Sequence, residues 1–265
     1  MILYQYNYTE TLTPDPMHEF FDLTEHNDVR IPMYGTTHLI TVIGLLLLLL
    51  LTLWQKENIK KIVANRRFIR GFMIGYLLLE VFYWSLMWGY RIDPLYERFP
   101  GHLCGGLSIL MPILILADKQ NLFRFFSYWS IAAGFISFVN PGFVFYTPGA
   151  WGFIHYVIRH YFLFLAPIIF QIGWGYKHSY KILLRSIATL AVWAFITFLI
   201  DWAIGANYNE LGPNNPLEVP FLPASFTVWP WSFPSFAVVG VILLHLAYLG
   251  FKWLERAEKP VGVAV

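Results

Sequence analysis

Charge is scarce in this chain, and cysteine is nearly absent. Asp, Glu, Lys and Arg together make 13% of its 265 residues, where soluble domains carry about 25%. That deficit excludes a surface built to face water on every side. The formal net charge of +2 is too small for a nucleic-acid-binding surface. A single cysteine, Cys104, excludes an intramolecular disulfide, so cysteine usage says nothing of redox compartment. The N-terminus lacks the basic n-region and apolar h-region of a signal peptide, and the first apolar segment is expected to serve as its own targeting signal. There is no HExxH, no internal repeat, and no inverted or broken-helix pair of the kind that builds transporters.

What the chain has is apolar length. Hydrophobic residues make up 57%, with 24 Phe, 16 Tyr and 11 Trp. The apolar blocks are unbroken and of helical length. They lack the period-2 alternation of barrel strands, so the spanning elements are helices. The expected fold is an all-α polytopic membrane protein: a bundle of seven transmembrane helices, N-terminus outside, C-terminus cytoplasmic. Expected spans run at 33–54, 68–90, 102–117, 122–139, 151–176, 181–206 and 232–253. Domains follow as 1–32, an extracytoplasmic amphipathic segment with a surface helix at 15–28; 33–256, the transmembrane domain; and 257–265, a cytoplasmic tail. Asn7-Tyr8-Thr9 fits a glycosylation acceptor. Orientation comes from the cations. The loops after spans one, three and five, together with the tail, hold Lys56, Lys60, Lys61, Arg66, Arg67, Arg70, Lys119, Arg124, Lys177, Lys181, Arg185, Lys252, Arg256 and Lys259. The other side holds only Arg30, Arg91 and Arg98.

Ionisable residues within spans are costly and usually face the bundle interior or a cavity. His38, Glu80, His102, Cys104, His155, Arg159, His160 and Asp201, with Asn207 and Tyr208 just beyond, all fall in the outer half of the bilayer or at its outer edge. His245 alone lies towards the inner end. This shared depth points to one polar pocket open to the extracytoplasmic side. The competing reading is structural: an ion pair of Arg159 with Glu80 or with Asp201 that links helices.

Cys104 opens span three. A lone cysteine in an apolar helix is usually a small inert core residue. Against that, it lies at a helix N-terminus, where the dipole favours thiolate, and Gly105 and Gly106 leave backbone N–H groups able to cradle an oxyanion. His102 points roughly 200° away on a helix. A base from span five or span one fits better. His155 and Arg159 share a face, whereas His160 is rotated about 140° from His155.

Several segments carry a resemblance: YGTTHLI at 34–40, FPGHLC at 99–104, RHYFLFLAP at 159–167, GANY at 205–208 and VWPW at 228–231. In order and spacing they resemble the YwaF-like family of bacterial polytopic membrane proteins, related to vertebrate membrane lipid acyltransferases that use a membrane cysteine. The resemblance implies Cys104 as nucleophile and His160 as base or orienting group, with His38, His102, Asn207 and Tyr208 lining the site. Pro100-Gly101 and the longer, acidic N-terminal segment depart from the pattern.

Three functions compete. The first is acyl transfer between lipids through a Cys104 thiolate. The second is a metal-dependent membrane hydrolase using histidines with Asp201 or Glu80, although the i, i+5 spacing of His155 and His160 suits one metal poorly. The third is a small-solute binding or transport protein, or a non-catalytic subunit of a larger complex. No motif implies a cofactor. The expected partners are membrane lipids and other membrane subunits, not nucleic acid. The expected location is the cell membrane, with multiple passes.

Overall fold

The computed structural model describes residues 20–21, 31–90, 95–142, 146–210 and 231–257. The expected surface helix at 15–28, the glycosylation acceptor, most of the Pro-rich loop after span six and the C-terminal tail lie outside the described residues or largely so. The described chain is all-helical. Its α-helices are α1 (Thr36–Trp54), α2 (Lys56–Ala64), α3 (Arg66–Gly89), α4 (Leu103–Leu116), α5 (Gln120–Val139), α6 (Trp151–Trp174), α7 (Tyr180–Ile204) and α8 (Ser232–Ala257).

Six of these are long and apolar enough to cross a membrane: α1, α3, α5, α6, α7 and the Phe233–Ala257 part of α8. The third expected span is shorter. α4 has 14 residues, about 21 Å at 1.5 Å per residue, against roughly 30 Å of hydrocarbon. The basic stretch after span one, read from sequence as a connection, holds a helix of its own. α2 buries Val63 against α6 at Gly173, where a Cβ would lie 2.4 Å from the Val63 side chain.

α5 and α6 form the centre of the bundle, and α4, α7 and α8 pack on α5. The main core runs along them through Met111, Phe123, Tyr128, Leu163, Phe170, Leu244 and Phe251. By contrast, α1 exposes Leu47 and Leu50 at 60% and 61%. An apolar surface of this kind belongs in lipid rather than water.

Polar side chains inside the bundle tie helices where the backbone offers an acceptor. Pro167 has no N–H, so the Leu163 carbonyl one turn earlier lacks its helical donor. The Ser130 hydroxyl donates to that carbonyl at 2.6 Å, joining α5 to α6. Trp129 Nε1 donates to the Ser186 carbonyl at 3.0 Å, which joins α5 to α7. Gly134 lets the two backbones approach: a Cβ there would lie 2.8 Å from the Phe164 nitrogen and 3.1 Å from the His160 carbonyl.

Candidate functional site

The ten candidate side chains gather in separate groups. The first joins α3 to α6. Glu80 is 1% exposed, His155 1% and Arg159 9%. Arg159 donates to the Glu80 carboxylate through Nε at 3.3 Å and Nη2 at 2.7 Å. The Tyr76 hydroxyl donates to the same carboxylate at 3.2 Å. His155 Nε2 stands 3.2 Å from Oε1, but off the direction of a hydrogen bond. Its ring stacks on Tyr83 at 3.8 Å, nearly parallel. The guanidinium also lies over the Tyr83 and Trp84 rings, 4.7 and 5.4 Å from their centroids. A buried carboxylate surrounded by donors keeps its charge without water. Of the two ion pairs open to Arg159 on the sequence, the one formed is with Glu80. Tyr76 and Tyr83 were not singled out from the sequence, though Tyr76 stands at i, i+4 from Glu80, a spacing that marks a shared helix face.

The second group closes the start of α4. His102 is the N-cap, extended at φ −66° and ψ 143°. Its Nδ1 accepts from the Asn209 backbone N–H at 3.1 Å. The Asn209 side-chain oxygen accepts from the Leu103 N–H at 2.6 Å. Asp201, at the end of α7, accepts from the Tyr208 N–H at 3.0 Å, and the Tyr208 hydroxyl donates to the Tyr96 carbonyl at 2.6 Å. The fit is tight: a Cβ on Gly101 would sit 2.2 Å from the Tyr208 ring. Asn207 is half-buried in the turn before Tyr208. Asn209 was missed from sequence, because a cap that arrives from 106 residues away leaves no local spacing to read.

His38 stands apart. Its Nδ1 accepts from the Tyr34 backbone N–H at 2.8 Å, so Nε2 carries the proton that reaches the Phe138 carbonyl at 2.9 Å. Both ring nitrogens are engaged, and the ring binds the start of α1 to the end of α5.

Cys104 and His160 pack against the same two turns of α5. Cys104 Sγ lies 3.7 Å from Ser137 Oγ and 4.0 Å from the Ala133 carbonyl. Of the first-turn amides of α4, Leu103 is capped by Asn209 and Gly106 bonds to His102. The N–H groups of Cys104 and Gly105 have no intrahelical acceptor. His160 is 3% exposed, and its ring lies 4.0 Å from that of Tyr156 and 6.3 Å from that of Phe138. It faces a different direction from His155 and Arg159, as the helical rotation predicts. His160 Nδ1 stands 2.7 Å from the Tyr156 carbonyl. A carbonyl only accepts, so Nδ1 bears the proton and Nε2 the lone pair.

Among the described residues, no three His, Cys, Asp or Glu side chains stand together as metal ligands. His245, at the other end of the bundle, bonds within α8 and to Tyr180.

Residues 33–248 match the TMEM164 family, from the start of the first expected span to within α8. The chain belongs to the TMEM164 family. No curated protein and no solved structure matches it. Membership of the TMEM164 family, with six long apolar helices, makes the chain an integral membrane protein. The TMEM164 match carries neither a YwaF-like relation nor an acyltransferase activity; those rest on the short motifs at 34–40, 99–104, 159–167, 205–208 and 228–231.

Proposed function

We propose that this TMEM164-family protein is a multi-pass protein of the cell membrane that transfers acyl groups between lipids through Cys104. The observation that carries the reading is the hydrogen bonding of the histidines. His38 uses both ring nitrogens, and His102 Nδ1 is already an acceptor. His160 spends Nδ1 as a donor and keeps Nε2 as a base.

In the proposed reaction His160 Nε2 takes the Cys104 thiol proton, directly or through one water. The thiolate attacks the carbonyl carbon of a lipid ester. The resulting oxyanion is held by the N–H groups of Cys104 and Gly105. As it collapses, the ester C–O bond breaks, the proton passes from His160 to the departing lipid oxygen, and an S-acyl thioester remains on Cys104. A hydroxyl of the acceptor lipid then gives its proton to His160 and attacks the thioester carbon; the C–S bond breaks as the new ester forms, and the departing thiolate takes the proton back from His160. Reading α4 as the third of seven crossings puts its start at the extracytoplasmic face, where ester carbonyls lie. The basic residues at the opposite end support that orientation.

The test is labelling of the purified protein in lipid with a lipid-like, thiol-reactive probe. Labelling of Cys104 that drops sharply in His160→Ala, with helicity retained, supports the reading. Labelling indifferent to His160, or lipid acyl transfer retained by Cys104→Ala, overturns it.

A further inference from the structure

Away from these side chains, a groove of about 280 Å³ lies between α1, α5, α6 and α8. Leu53, Phe135, Phe164, Ile168, Leu246 and Gly250 are among its lining residues, and no lining side chain is ionisable. Ile168 and Phe251 are buried at 7% and 1%, whereas Leu246 and Trp253 on the α8 lip are exposed at 56% and 58%. The floor is therefore protein and the lip faces the surroundings of the bundle. Gly250 keeps the groove open, since a Cβ there would meet nothing within 4 Å.

The two ends differ. Towards Phe135 and Phe164, α5 and α6 close on each other at Gly134. At the other end the groove reaches Leu53, Trp253 and Leu254. Trp54, exposed at 78%, and Lys56 follow directly on one side. Arg256 stands on the other, with Lys252, which also pairs with Glu255. Tryptophan sits well at headgroup level, and lysine and arginine attract lipid phosphate there.

We propose that this groove binds one acyl chain of a phospholipid from the leaflet at the basic end of the bundle. The methyl end of the chain lies at Phe135 and Phe164, and the headgroup lies between Trp54 and Trp253. The site is separate from Cys104 and does not depend on acyl transfer. Carbon lining excludes a polar solute, and the tryptophans and cations at the basic end are where a headgroup is favoured.

The experiment uses the full chain in phosphatidylcholine vesicles containing phosphatidylglycerol with a diazirine either near the ester or at the chain terminus. Irradiation and peptide mapping locate the adducts. The near-ester probe is expected to tag the Leu53 and Trp253 end, and the terminal probe the Phe135 and Phe164 end. Gly250→Leu, which places a side chain in the groove mouth between Leu246 and Trp253, and Leu246→Trp, which covers it from the lip, are each expected to reduce these adducts to background. The opposite order of tagging would assign the lipid to the other leaflet and overturn the proposal. So would adducts spread evenly over Leu46, Leu47 and Leu50 on the outside of α1, or groove adducts unchanged in both variants with the fold intact.

Discussion

Arg159 on α6 holds Glu80 on α3 by a two-pronged ion pair, at 3.3 and 2.7 Å, with the carboxylate 1% exposed. Neither charge has water to fall back on. Removing one leaves the other buried and uncompensated, at a cost of about 3–5 kcal/mol. Glu80→Ala is expected to lower thermal stability in detergent by that amount. The double variant Glu80→Met with Arg159→Leu is expected to recover most of the loss, because apolar replacement of a whole buried pair is often neutral. A double variant as unstable as the single one would show that the pair is not the source.

His178 lies between α6 and α7, outside the membrane-crossing helices. It is 2% exposed, stacks on Phe251 and pairs through Nδ1 with the Tyr128 hydroxyl. Burial, with Arg124 and Lys252 nearby, pushes its pKa down to about 3 from 6.5. The unfolded chain therefore takes up a proton below about pH 6.5 that the folded chain refuses. Stability at His178 is complete above that pH and is lost as pH falls towards 3. Unfolding followed from pH 7.5 to 4 is expected to show this decline, and His178→Phe is expected to flatten it. An unchanged slope in the variant would assign the decline to other groups.

His38 and His160 separate structure from chemistry. His38→Ala removes two hydrogen bonds that tie α1 to its own entry turn and to Phe138. It is expected to cost about 1–3 kcal/mol by leaving a buried group unpaired, with Cys104 labelling in the surviving fold unchanged. His160→Ala also removes a buried, packed ring and is expected to cost a similar amount, but with Cys104 labelling lost in the surviving fold. Equal effects on both measures in both variants would remove the distinction.

The start of α4 depends on a distant residue. Asn209→Ala removes the acceptor for the Leu103 N–H and is expected to cost about 1 kcal/mol, the usual value of an N-cap side chain. Gly101→Ala drives a Cβ into the Tyr208 ring, whose hydroxyl is fixed on Tyr96. It is expected to destabilise more, and Tyr208→Ala added to it is expected to relieve the overlap. A Gly101→Ala protein as stable as the parent, by thermal melting, would show that the ring yields freely.

The fold class was legible because the bilayer leaves few solutions: runs such as Leu45 to Trp54 can satisfy their backbone in hydrocarbon only as helix. The polar residues were legible one by one for the same reason, since Glu80 or Arg159 in an apolar block stands out against its neighbours. The helical period placed His155 and Arg159 on one face and His160 on another. The sequence alone could not choose Glu80 over Asp201 as the partner of Arg159, because the choice depends on which helices pack side by side. Nor did it show that Asn209 caps α4, that Ser130 serves the carbonyl freed by Pro167, or that α2 forms a helix docked at Gly173. Unbroken apolar length marks which segments enter the membrane. Rotation and neighbour choice are set by side-chain packing and by hydrogen bonds between residues far apart in the chain, and only the tertiary structure decides those.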